Sequence, residues 1–321
     1  MPLFGAGSAL LIAPQSAWGT PNITEADMRP FNIIDVDYNQ KPTRNESASI
    51  SPTQGFTQGY REGTIAADGS FKIEVPYEGA GILWDALLGN SATGSIVSGI
   101  YPHTYTPDTS LAILTLVKMT GEAYEEVIQG AKIAKATFSY AVNQGLQCGF
   151  SFIAEKSPTG RVTPRTIAWT VPNPPIVEFG EIAASFTWAS ITTICPIKID
   201  IEIDNAIEAR FCVLSKYTME PNFSGGKRMV KVSVEFDLED MDAYNAYIAA
   251  TEGDLSFIWT DGTNTFTINI DDAELLTYSD PISGDGRISV KATWGGKAKT
   301  SSDKAVTIIA NNAQPTATEK A

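Results

Sequence analysis

Two stretches, residues 197–204 and 230–237, alternate apolar and polar side chains without a break, and that pattern limits how they can fold. Ile197, Ile199, Ile201 and Ile203 alternate with Lys198, Asp200, Glu202 and Asp204. Val230, Val232, Val234 and Phe236 alternate with Lys231, Ser233, Glu235 and Asp237. A β-strand turns successive side chains to opposite faces, so each run has one dry face and one wet face; a helix would scatter both sets. Shorter runs of the same kind occur at Phe71-Lys72-Ile73-Glu74-Val75 and Phe266-Thr267-Ile268-Asn269-Ile270. Asp68-Gly69, Asp261-Gly262 and Ser283-Gly284-Asp285-Gly286 read as turns between strands. The chain is expected to be mainly β and mostly antiparallel.

Two stretches depart from period two. Residues 81–88 place Ile82, Leu83, Ala86 and Leu87 at helical spacing. Residues 239–250 do the same with Met241, Tyr244 and Ile248, and open on acidic residues that suit a helix N-terminus. Each predicted helix follows an alternating strand and leads to another strand, which points to an internal repeat. Four matches keep the same order in both halves. Ile34-Asp35-Val36-Asp37 with Arg44 pairs with Ile201-Glu202-Ile203-Asp204 with Arg210. The strand at Phe71–Val75 and its helix pair with Val230–Phe236 and its helix. Residues 111–116 pair with 255–260, and residues 135–152, with Tyr140 and Gly145, pair with 273–290, with Tyr278 and Gly284. The predicted division is an N-terminal arm or first strand at 1–29, a first domain at 30–156, a linker at 157–196 containing Pro172-Asn173-Pro174-Pro175, a second domain at 197–309 and a loose tail at 310–321.

Composition sets limits on function. The 321 residues carry a formal net charge of -14, and a chain this acidic lacks the cations that grip phosphates. Hydrophobic residues make up 43% of it, enough to build a core. No apolar run approaches membrane-spanning length, and residues 9–13 lack the preceding basic residues of a signal peptide. Cys148, Cys195 and Cys212 are far apart, form no CxxC pair and fit a reducing compartment without disulfide or zinc site.

Catalytic constellations are scarce. His103, the only histidine, cannot supply a multi-histidine metal site and reads as structural. GxSxG, Walker and dinucleotide fingerprints are missing. Asp240/Asp242 and Asp271/Asp272 are carboxylate pairs, but neither has the spacing of a calcium loop, and Asp240 and Asp242 suit a helix start. The sequons at Asn22, Asn45 and Asn222 matter only in a secreted eukaryotic protein. The chain is expected to be no enzyme and to hold no cofactor or metal.

Several ordered segments resemble a known family. Residues 71–75, then Gly79-Ala80-Gly81-Ile82-Leu83-Trp84-Asp85-Ala86-Leu87-Leu88-Gly89, then His103-Thr104-Tyr105-Thr106-Pro107, are similar to the phage tail tube protein family of siphovirus-type tails. In the second half, residues 205–211, Phe236-Asp237-Leu238-Glu239-Asp240, residues 251–257 and residues 278–288 are similar to that family's closing segment. The resemblance covers roughly residues 30–155 and 197–309.

It implies two tandem tail-tube-like β-sandwich or barrel domains, each with one short packed α-helix, in a viral structural protein of the bacteriophage virion tail. Rings of this family typically hold six tube domains, so three chains with two domains each would close a pseudo-sixfold homotrimer ring. Rings would stack through the N-terminal arm and the loop at 43–63. The implied partners are other copies of the chain and other tail proteins (tape measure, tail tip, terminator), with assembly in the bacterial host cytoplasm. Phage DNA would pass during ejection without specific binding, and no membrane anchor is implied. An acidic channel wall would repel phosphates, and its candidate residues are Lys72 and Glu74 in the first half and Lys231, Glu235 and Asp237 in the second. The alternatives are a tail-completion or baseplate ring protein, and a non-viral carbohydrate-binding or adhesin β-sandwich, which would need an exposed aromatic platform.

Overall fold

The computed structural model describes residues 8–46, 60–120, 124–163, 175–182, 188, 191, 194–221, 226–281, 287–299 and 303–318. The elements of the first half are β1 (Ala9–Gln15), β2 (Arg29–Phe31), β3 (Ile33–Glu46), β4 (Tyr60–Glu74), α1 (Gly81–Leu88), β5 (Gly89–Thr93), β6 (Tyr101–Pro107), β7 (Ile113–Thr120), β8 (Tyr124–Ala141), β9 (Gln147–Ala154) and β10 (Arg161–Val162). The second half has β11 (Pro196–Asp204), β12 (Arg210–Cys212), β13 (Ser215–Met219), β14 (Met229–Asp237), α2 (Asp242–Ile248), β15 (Glu252–Thr260), β16 (Thr265–Ser279), β17 (Ser289–Gly295) and β18 (Thr307–Asn312). The chain is mainly β and of β-sandwich type, with two short helices among the described residues, as the alternation predicts.

The same strand order occurs in both halves. In the first half β3 pairs with β4, β4 with β9 and β9 with β8. In the second, β11 pairs with β14, β14 with β17 and β17 with β16. All these pairs are antiparallel, and β8 pairs antiparallel with β11, so the two four-strand units form one eight-stranded sheet. Each unit ends on a long strand that bends out of it to pair with a preceding strand, β8 with β7 and β16 with β15. The bends fall at Gly130 (φ 68) and Asp272 (φ 48). Glycine and aspartate are among the residues that tolerate this left-handed backbone.

A hydrophobic core shared by both halves lies behind this sheet. Trp84 of α1 is its centre, with ring centroids 5.4 Å from Phe138, 5.9 Å from Phe150 and 5.4 Å from Phe266. Every residue of α1 except Asp85 is buried. Phe266 belongs to the second half, so α1 is clamped between the two halves. Its last turn is completed from the second half as well: Asn205 Nδ2 donates to the Leu87 carbonyl at 2.8 Å, and Arg228 donates to the Leu88 and Asp108 carbonyls at 3.3 and 2.6 Å. A cation at a helix C-terminus complements the helix dipole. Burial pushes the Arg228 guanidinium down to about 10, so it remains charged at neutral pH.

The ends of the described chain pack on the body. β1 buries Leu10, Leu11, Ile12 and Ala13 and pairs with β7 along its whole length. β18 lies between β16 and β6, and Tyr105 donates to the Ala317 carbonyl at 2.6 Å. In residues 157–196, Trp188 is buried against Trp294 and donates to the Ala273 carbonyl at 3.0 Å. Most of the Pro172–Pro175 motif lies outside the described residues, as does the turn at 283–286.

One predicted turn is corrected. Asp68-Gly69 lies inside β4, which runs unbroken from Tyr60 to Glu74. Gly69 pairs with Tyr38 on one side and Phe152 on the other. A Cβ there would sit 2.5 Å from both the Asp37 carbonyl and the Phe152 ring, so this glycine serves close approach between strands.

Candidate assembly and channel surface

Residues paired across neighbouring strands point to the same side of a sheet, so the registers define rows across all eight strands. Behind the sheet, one row runs Ile73–Cys148–Phe138–Ile201–Val232–Trp294–Leu275, all buried in the core. On the opposite side the adjacent row is Asp35–Lys72–Gly149–Thr137–Glu202–Lys231–Gly295–Glu274. Next to it run Glu74–Gln147–Ser139–Asp200–Ser233–Thr293–Thr277, then Ala141–Lys198–Glu235–Lys291–Ser279, then Asp237–Ser289. Lys72, Glu74, Lys231, Glu235 and Asp237 therefore share one polar face of one sheet.

Carboxylates outnumber cations on these rows, and several of the carboxylates are engaged by cations on or beside them. Lys135 Nζ lies 2.9 Å from Glu202, Lys198 Nζ 2.5 Å from Asp200, and Arg287 2.8 Å from Asp237. Lys297 Nζ contacts both Glu252 and Glu274. Ser139 donates to Asp200 at 2.7 Å and Ser289 to Glu235 at 3.1 Å. Sequence reading missed Asp35, Lys135, Asp200, Glu202 and Glu274 as members of this face. The alternation at 197–204 was the available signal, but alternation alone does not reveal that β11 lies between β8 and β14.

Other candidates resolve into structural roles. His103 is buried on β6 between the Thr93 hydroxyl and the Gln314 carbonyl. Asp240 Oδ1 accepts the Asp242 N–H at 2.9 Å, a helix-start contact. No cluster of metal-binding side chains occurs among the described residues. Trp84, Trp188, Trp259 and Trp294 are buried, so they form no exposed aromatic platform. Burial pushes the Cys148 thiol well above its ordinary value, which keeps it protonated.

The described residues thus form a two-unit sheet with an acidic, largely self-paired face and no assembled catalytic group. A family model described as phage tail tube protein matches residues 5–298. The chain belongs to the phage tail tube protein family. The match extends beyond the resembling segments to take in the N-terminal strand and the connection between the halves. No curated protein matches the chain. Membership in this family supports a structural role in a phage tail tube, with the virion tail as its location and self-assembly and contact with other tail proteins as its business.

Proposed function

We propose that this tail tube protein is a duplicated subunit that polymerises as stacked rings of three chains, pseudo-sixfold, around a channel for DNA during ejection in a siphovirus-type tail. The two units run over residues 30–156 and 197–309. The observation that supports this reading best is the recurrence of one four-strand order, with matching bends at Gly130 and Asp272, in a single eight-stranded sheet. A sheet built from equivalent units joined edge to edge extends by repetition, and closure into a ring removes its open edges. The polar face is assigned to the channel, with Lys72, Glu74, Lys231, Glu235 and Asp237 among its residues. Its excess of carboxylates and paired lysines would leave phosphates little to bind. No catalysis is assigned to the chain. Its partners are further copies of itself, tape measure, tail tip and terminator proteins, and assembly takes place in the host cytoplasm.

Cryo-electron microscopy of the purified, concentrated protein tests this. Hollow tubes with three chains per ring and the polar face inward are expected. Single capping rings that never stack would favour a tail-completion or baseplate role, and tubes in which this polar face points away from the channel would sink the assignment of the wall.

A further inference from the structure

Strand pairing matches the two units residue by residue. β3 on β4 and β11 on β14 carry the same irregularity at the same place, just after Ile33 in one and just after Pro196 in the other. Ile33 faces Ile73 and Pro196 faces Phe236, so Asp35 occupies the place of Lys198 and Lys72 that of Glu235. Backbone bonds agree with this match. The Val75 N–H donates to the Leu146 carbonyl and the Leu238 N–H to the Ile288 carbonyl, both at 2.9 Å, just beyond Ile73 and Phe236. The match replaces the sequence pairing of Asp35 with Glu202.

Along the polar face the two units then carry opposite charges. The cross-strand pair Asp35–Lys72 of the first unit is Lys198–Glu235 in the second. Asp68 stands where the second unit has Lys231, and Lys41 where it has Asp204. The buried positions between them stay apolar in both units, Phe71 against Val234 and Ile73 against Phe236. Asp68 is engaged by Lys41 at 2.8 Å, and Glu235 lies 3.8 Å from Lys291. Lys72 and Lys231 take part in no ion pair among the described residues.

We propose that this reversal gives a wall of six units threefold character, and that the partner it fits is a protein rod of three identical parallel chains with carboxylates facing Lys72 and Lys231. The inference rests on the tube reading and on the channel assignment above. In a ring of three chains, the level of Lys72 holds three ammonium groups set between three Glu235 carboxylates. The level of Lys231 holds three more set between three Asp68 carboxylates, with the signs exchanged between the units. Four residues of strand, about 13 Å, separate the two levels. Six equal units would offer a threefold partner the same charge at every unit and no preferred angle. Here a rod turned by one unit would bring its carboxylates onto Glu235 and Asp68. Such like-charge contacts fix orientation more than they add affinity. A closed bundle of three identical chains is the simplest protein body that repeats its charges at this symmetry. Duplex DNA lacks that symmetry, and its phosphates meet a carboxylate beside every lysine. The same wall holds one occupant at a set angle and lets the other pass.

The test co-expresses the full chain with the tape measure protein as the probe and reconstructs the tubes by cryo-electron microscopy without imposing symmetry inside the channel. The comparison is a Lys72→Gln/Lys231→Gln variant, changed only at partly exposed positions. Wild-type tubes are expected to hold threefold density that touches Lys72 and Lys231. Variant tubes are expected to form with the occupant smeared around the axis. An empty wild-type channel, an occupant without threefold register, or an unchanged register in the variant would overturn the inference and leave the tube reading standing. Tubes with the polar face outward would overturn the wall and this partner together. Failure of the wild-type chain to form tubes would overturn the tube reading and the inference with it. Should the variant alone fail to assemble, the wild-type density decides.

Discussion

His103 has no exposed surface, donates from Nε2 to the Gln314 carbonyl at 2.9 Å and accepts from Thr93 Oγ1 at 3.1 Å. Burial lowers its pKa below the ordinary 6.5, with the bond to Gln314 opposing. The folded state therefore holds a neutral ring that the unfolded chain would protonate first. Its contribution to stability is fully present above about 6.5 and is lost as pH falls from there toward the folded value. His103 is the only histidine, which makes it the first candidate for a slope in that window; Asp271, whose carboxyl pKa is raised by burial and neighbouring carboxylates, acts in the opposite sense and adds stability as pH falls. Thermal unfolding between pH 7.5 and 5.5 should show a falling midpoint, and His103→Asn should flatten that fall. An equal slope in both proteins would assign the effect elsewhere.

At the scale of elements, α1 is the piece on which both halves converge. Trp84→Ala removes a fully buried ring that touches Phe138, Phe150 and Phe266. The expected cost is about 3–5 kcal/mol, read by urea unfolding, because large-to-small changes leave a cavity as well as lost transfer energy. A cost below about 1 kcal/mol would mean that the halves repack independently of this helix. The helix itself was legible, since residues 81–88 carry helical apolar spacing and bound it correctly. The strands at 197–204 and 230–237 were legible for the same reason. Asp68-Gly69 misled because a glycine in a strand and a glycine in a turn look alike until the opposing Phe152 ring is placed. α2 was legible as a helix, but its apolar face was not legible as an exposed one; spacing predicts which residues share a side, not what covers them.

At the scale of the whole molecule, the five channel candidates fell on one face because period-two alternation carries side-chain orientation with it. Their neighbours Asp200 and Glu202 depend on the β8–β11 pairing, between residues about 60 apart in sequence, which no local pattern encodes. The charge on this face can be tested directly. Replacing Asp200 and Glu202 with lysine removes the partners of Lys198 and Lys135 and adds two more cations. Assembled protein carrying both changes should retain a short DNA duplex at low salt and release it as salt rises, measured by fluorescence anisotropy. Wild-type assemblies should retain none, and equal retention by the two would show that this face does not govern passage.

The pairing of β8 with β11 within one polypeptide also has a consequence for dilution. Two surfaces held on one chain meet at an effective concentration on the order of millimolar, whatever the amount of protein present. In a ring of three such chains, half of the contacts would be immune to dilution and half exposed to it. Nucleation would then require three bodies to meet where an unduplicated subunit needs six. The two units would also be free to drift apart in sequence, since a change in one would recur at alternate positions around the ring.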